Sequence, residues 1–210
     1  MRVSDNAEML EITDENYENC TIYPVLVWDS ENLALIDAGF PGQFDLFKAA
    51  IAKVGLGRGI SEITHIFLTH QDWDHIGCAS EILSAAKNAK TYAHKDEAPY
   101  IDGREKPIKG GAKPPEMLFK IDRELSDGEI VPICGGIEAV HTPGHTPGHS
   151  CFLLRESNIL VCGDAVNVNN GELAGPNPAY TFDMELGMKS FEKIKSLTGK
   201  AIVAYHGGII

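Results

Sequence analysis

The stretch that decides the reading is "THQDWDHIG", residues 69–77. It places His70, Asp72, Asp74 and His75 within six positions. Before it runs the short apolar segment "THIFLT" (64–69), and after it "HIGCASEILSAAKN" (75–88), with Ile76, Ala79, Ile82, Leu83 and Ala86 at helical spacing. The pattern is a strand that ends in polar side chains and turns into a helix. Open α/β sheets build their sites at that position. Imidazole and carboxylate are ligands for zinc, iron and manganese. A polar turn accommodates one His and one Asp. Four such groups in six residues point to a metal.

The same grammar extends outward. "CTIYPVLVWD" (20–29) and "NLALID" (32–37) read as a hairpin across Ser30-Glu31. "AGFPG" (38–42) is a turn, and Phe44, Phe47, Ile51 and Val54 predict a helix that ends at Gly55. "TYAH" (91–94) predicts a further strand. Residues 102–117 are rich in Lys, Pro and Gly and predict a long loop, either facing a substrate or lying on the surface. "IEAVH" (137–141), "CFLLR" (151–155) and "NILVC" (158–162) are strand-like. "DMELGMKSFEKIKSL" (183–197) predicts a helix capped by Asp183, and "AIVAY" (201–205) a last strand. Two similar halves of strands and helices fit one α/β sandwich over residues 1–210, with sheets inside and helices outside.

Three later segments repeat the motif of a strand ending in ligand-type residues. "HTPGHTPGHS" (141–150) carries His141, His145 and His149, and Pro143 and Pro147 exclude a helix there. At least one of these histidines is expected to be structural. "LVCGDA" (160–165) presents Asp164, and "VAYHGG" (203–208) presents His206. Either of the last two alone is an ordinary turn.

Taken in order, the segments resemble the metallo-β-lactamase superfamily. The family signature HxHxDH, then His, Asp and His, stands here as His70-x-Asp72-x-Asp74-His75, His145, Asp164 and His206. "LIDAG" (35–39) matches an early Asp-Gly turn. The resemblance covers roughly residues 20–208. It implies a four-layer αββα sandwich, with two mixed β-sheets flanked by helices, and a two-metal centre at one edge. His70, Asp72 and His145 would hold one ion. Asp74, His75 and His206 would hold the other, with Asp164 between them. Asp37 and His149 would lie behind the ligands, and His65, His94 and His141 would be ordinary residues. Two ions of this type sit about 3.5–4 Å apart and activate a water between them. Asp74 is the expected catalytic residue, orienting that water and carrying a proton to the leaving group.

One residue departs from the signature. Asp72 stands where the family has its second histidine. A carboxylate there lowers the net charge of the site by one and favours iron or manganese relative to zinc. Zinc remains the first expectation for a hydrolase.

The implied activity is cleavage of a small ester, thioester or lactone by a metallo-hydrolase. Asn167 and Tyr180, in the loop 166–182, are the expected substrate contacts. The position of Asp72 also admits a diiron redox protein related to the flavodiiron family, although the flavin domain of that family is lacking. A nuclease and a non-catalytic binding protein are further alternatives.

The totals bear on partners. A formal charge of −12 disfavours nucleic acid and anionic membranes. The first residues have no apolar run of signal-peptide type, and no segment approaches 18 apolar residues. The five cysteines are odd in number and widely spaced, with no CxxC, which predicts reduced thiols and a cytoplasmic protein. A monomer or homodimer with a small-molecule substrate is expected.

Overall fold

The structure is a computed structural model that describes residues 1–210 apart from 110, 112, 113, 115, 116 and 198–200. Residues 110, 112, 113, 115 and 116 of the expected loop 102–117 therefore lie outside the described residues. The chain opens with β1 (Arg2–Ser4), β2 (Ala7–Met9), β3 (Ile12–Asp14), β4 (Cys20–Ile22), β5 (Val25–Trp28) and β6 (Leu33–Ile36). Next come α1 (Phe44–Val54), β7 (His65–Phe67), α2 (Trp73–Ile76), α3 (Ala79–Ala85), β8 (Lys90–His94) and α4 (Ala98–Ile101). The second half holds β9 (Arg123–Leu125), β10 (Ile130–Val131), β11 (Ile137–His141), β12 (Ser150–Leu154) and β13 (Ile159–Val161). It ends with β14 (Asn167–Asn169), β15 (Glu172–Ala174), α5 (Met184–Ser196), β16 (Ala201–Ala204) and β17 (Gly208–Ile209).

Two mixed sheets form, with strand orders β1-β2-β5-β6-β7-β8-β9 and β10-β11-β12-β13-β16-β17. Their layering follows from side chains that alternate across each strand. Leu33, Leu35 and Ile66 point to a core shared with Phe47 and Ile51 of α1 and Ile82 of α3. Ala34, Ile36 and Phe67 point the other way, into a core shared with Phe152, Ile159 and Val161 of the second sheet. Phe67 meets Phe152 edge-on there, 5.3 Å between ring centroids. Leu160 and Cys162 face a third core with Ile194 of α5. Both faces of the central strands are buried, so they read as continuous apolar runs. The result is the expected αββα sandwich.

The local expectations hold with four corrections. Residues 20–29 make two strands, β4 and β5, separated at Tyr23 and Pro24, because proline has no N–H for a ladder. The helix expected over 75–88 starts at Trp73 and breaks after Ile76. At the break, a Cβ on Gly77 would lie 2.3 Å from the Pro41 ring, so the chain there passes close against the 38–42 turn. The loop 166–182 contains the hairpin β14–β15. Strands β1–β3 and β17 lack the length and apolar content that announce a strand. Asp183 caps α5 as expected, accepting from the Leu186 amide at 2.9 Å. Among the described residues no helix is long and apolar enough to cross a membrane.

Candidate metal centre

Parallel pairing of β6 with β7 and of β13 with β16 brings the C-terminal ends of several strands to one edge. Asp37 follows β6, His70 follows β7, Asp164 follows β13 and His206 follows β16. The turn after β11 adds His145. All seven expected ligand residues meet at this edge.

They form two sets. Asp74, His75, Asp164 and His206 bring ligand atoms within 4.8 Å of one another, and so do His70, His145 and Asp164. Asp164 belongs to both. Its Oδ1 lies 3.2 Å from His75 Nε2 and 3.6 Å from His206 Nε2, while its Oδ2 lies 3.6 Å from His145 Nε2. Asp72 Oδ2 approaches His145 Nε2 at 3.1 Å and His70 Nε2 at 3.5 Å. Asp74 Oδ2 approaches His206 Nε2 at 3.1 Å.

The residues behind these groups fix which nitrogen faces the site. Asp37 is buried and takes a left-handed backbone, φ 62°. Its carboxylate accepts from the Thr69 amide at 2.8 Å, the Thr69 hydroxyl at 2.8 Å and His75 Nδ1 at 2.8 Å. Thr69 spends its one hydroxyl proton on Asp37, so it accepts from His70 Nδ1 at 3.0 Å. Both imidazoles therefore keep a proton on Nδ1 and turn Nε2 to the cluster. His149 is different. Its Nε2 accepts from the Asp164 amide at 3.2 Å, and its Nδ1 contacts the Thr142 hydroxyl at 2.9 Å. It positions Asp164 and has no lone pair left for an ion. Asp37 thus touches the cluster through His75, and His149 through the Asp164 amide.

Charge follows the same geometry. Burial works against the ionised form of Asp164, yet His75 and His206 hold its carboxyl well below the usual carboxylate range. Burial disfavours a charged His206, but Asp164 and Asp74 outweigh it and raise the ring to about 10. His75 is raised in the same way by Asp74, Asp164 and Asp37 against its burial. His70, buried and beside His75, is lowered to about 4. The carboxylates thus pull protons onto His75 and His206, which a bound cation replaces.

A divalent ion suits this donor set. His70 Nε2, His75 Nε2, His145 Nδ1 and Asp164 Oδ1 are buried without a hydrogen-bond partner. Buried polar atoms normally have one. Three of the four face the cluster, and nitrogen and carboxylate oxygen are the donors zinc, iron and manganese take.

Four residues at the site were not named as site residues from the sequence, although one of them, Lys109, lies in the loop 102–117 that could face a substrate. The Tyr205 hydroxyl donates to the Asp74 carbonyl at 2.6 Å, accepts from the Gly39 amide at 3.2 Å, and its ring lies 3.9 Å from that of His75. The Glu97 carboxylate is fully buried and accepts from Gln71 N and Nε2, Thr146 Oγ1 and Gly148 N at 2.8–3.0 Å. It ties the loop of His70 and Asp72 to the loop of His145. Cys20 lines the site while the other four cysteines are buried, all five as free thiols. Lys109, from the basic loop, reaches Asp72 Oδ2 at 2.7 Å. A cavity of about 460 Å³ opens over the cluster, lined by Phe40, Asp72, Asp74, Asn167, Tyr180 and His206 among others. Both expected substrate contacts are on its wall.

His94 and His141 form a pair elsewhere, their rings stacked 4.0 Å apart at 5°. Asp96 lies with them. The Asp96 amide, 3.3 Å from His94 Nδ1, uses that lone pair. Burial first, and His141 second, push His94 down to about 4. A neutral His94 therefore stabilises the fold fully above the unfolded value near 6.5, and that stability is lost as pH falls toward 4. With Asp96 offsetting part of the effect, the expected loss is about 2 kcal/mol. Urea midpoints of wild type and His94→Gln between pH 7 and 4 check this. The variant should show the shallower fall, and equal slopes would contradict the assignment.

Comparison with known proteins identifies the family. A model of the metallo-beta-lactamase superfamily matches residues 18–206. The probable metallo-hydrolase YflN of Bacillus subtilis is 31% identical over 205 residues, covering 85% of this chain and 76% of YflN. A hydroxyacylglutathione hydrolase of Francisella tularensis subsp. novicida is 29% identical over 178 residues, covering 84% of this chain and 59% of that protein. The crystal structure of a metallo-beta-lactamase family protein from Thermus thermophilus superposes with a TM-score of 0.78 at 21% identity, over 100% of this chain and 76% of that one. The family match takes in every residue of the cluster, from Asp37 to His206, so the chain belongs to the metallo-beta-lactamase superfamily.

Proposed function

We propose that the protein is a metal-dependent hydrolase of a small ester, thioester or lactone, with two divalent-ion positions and zinc as the first candidate metal. The observation that carries the reading is the placement of Asp164, with one oxygen toward each of two His/Asp sets at the floor of a cavity. His70, Asp72 and His145 hold one ion in this reading, and Asp74, His75 and His206 the other. When bound, such ions supply Lewis acidity toward a carbonyl oxygen and make water a better nucleophile.

The remaining work falls to side chains. Asp37 and Thr69 keep the lone pairs of His75 and His70 aimed at the site. Tyr205 and His149 hold the backbone of Asp74 and Asp164. Asp74, on the cavity wall, accepts a proton from the attacking water and delivers it to the leaving group. Asn167 and Tyr180 contact the substrate, and Phe40 gives its apolar part a wall. The likeness to a hydroxyacylglutathione hydrolase supports a thioester within this class. The formal charge of −12 supports a small-molecule partner rather than nucleic acid. A cytoplasmic monomer or homodimer completes the proposal.

The test is elemental analysis of the purified protein together with a panel of thioesters, lactones, phosphodiesters and β-lactams. Hydrolysis of a thioester or lactone that stops on chelation is the expected result. Stoichiometric iron with oxygen consumption and no hydrolysis would favour redox chemistry instead.

A further inference from the structure

The feature that the proposed function leaves unused is Lys109. Its ammonium donates to Asp72 Oδ2 at 2.7 Å and to the Tyr180 carbonyl at 2.6 Å, and lies 2.9 Å from His145 Nε2, which accepts from it in the tautomer protonated on Nδ1 and in the other donates to Asp72 Oδ2 at 3.1 Å. Two of these three neighbours are atoms that the first ion position needs. His145 Nε2 has one lone pair. It serves the ammonium or a metal ion, not both.

The position of Lys109 is built. The neighbouring Ile108 amide donates to Gln71 Oε1 at 2.8 Å. Gln71 lies between His70 and Asp72, and its own amide and side chain are held by Glu97. The other oxygen of Glu97 holds Thr146, next to His145. One buried carboxylate thus keeps the ligand loops and the base of the lysine loop in fixed register.

Charge points the same way. Asp72, Asp74 and Asp164 face the site with three negative charges, and Lys109 brings one positive charge. A single divalent ion neutralises the remainder. It also explains the aspartate at position 72. A carboxylate pairs with an ammonium, while the imidazole expected there has a single lone pair and no charge to offer.

We propose that Lys109 is a tethered cation that occupies the position formed by His70, Asp72 and His145. A metal ion enters that position only by displacing the ammonium. The resting centre holds one ion, at Asp74, His75, Asp164 and His206. The inference rests on the metal-centre reading above and refines it. The two positions are unequal, and the chain itself supplies the competitor for one of them.

The test is equilibrium dialysis of the metal-free 210-residue chain against Zn²⁺, and separately Mn²⁺, with bound metal read by elemental analysis. Wild type should take up one equivalent tightly and a second at least about 10-fold more weakly. Lys109→Met, which keeps the apolar stem and removes the charge, should bind the second equivalent at least about 10-fold more tightly than wild type. Lys109→Gln should behave the same way. A second equivalent as tight as the first in wild type would overturn the proposal. So would a second equivalent that neither variant strengthens. Failure of all three proteins to bind either ion would overturn the metal reading itself, and this proposal with it.

Discussion

Asp164→Ala is expected to lose bound metal and to lower kcat/KM by at least about 10³-fold, a transition-state cost of about 4 kcal/mol. The size follows from geometry. Asp164 is the one residue that belongs to both ligand groups, with Oδ1 facing His75 and His206 and Oδ2 facing His145. Alanine removes an oxygen from each position and two compensating contacts from the raised His206 and His75. Asp164→Asn, which keeps the shape and the hydrogen-bonding oxygen, should lose metal as well, because the charge is what opposes the cation. Metal content by elemental analysis and thioester or lactone turnover are the two readouts. Retention of stoichiometric metal with activity within about tenfold of wild type would reject the bridging role.

Asp37→Ala is expected to damage both stability and the site. The Asp37 carboxylate is buried and accepts from the Thr69 amide, the Thr69 hydroxyl and His75. Removing it orphans buried donors, at about 3 kcal/mol. For a chain of this length that lowers Tm by roughly 6–12 °C. His75 also loses the partner that fixes its tautomer, and partners of that kind are worth about 10–100-fold in metal affinity. A thermal melt of the metal-free protein and a metal titration separate the two effects. A Tm within about 2 °C of wild type and an unchanged affinity would show that Asp37 is dispensable.

The two residues differ from others at the site in how far the sequence reveals them. Asp164 and Asp37 each close an apolar strand and begin a turn, so local pattern marks them. The same holds for His70, Asp74, His75, His145 and His206. Residue type at a strand end is a local property, and parallel pairing then carries every such end to the same edge. Asn167 and Tyr180, taken from the loop after Asp164, line the cavity beside it.

Glu97, Tyr205 and Lys109 carry no such mark. Glu97 sits in a stretch that reads as surface, yet it is buried and bonded to residues 26 and 49 positions away. Tyr205 reads as the end of a strand, and its partner Asp74 lies 131 positions earlier. Lys109 belongs to a Lys- and Pro-rich loop whose composition fits a solvated segment as well as a substrate-facing one.

Alone, the sequence determined the αββα architecture, the strand-end residues that gather at one edge, and the chemical character of their ligands. Alternating burial and ligand type are written into neighbouring residues, and a strand or turn expresses them wherever it lies. Tertiary structure decided what stands behind each ligand and what competes for it. Such contacts depend on strand order and loop docking, which join segments far apart in the chain. The aspartate in "THQDWDHIG" shows the division. As sequence, Asp72 is a substitution that alters a metal site. In the folded chain it is also the partner of a lysine 37 residues away.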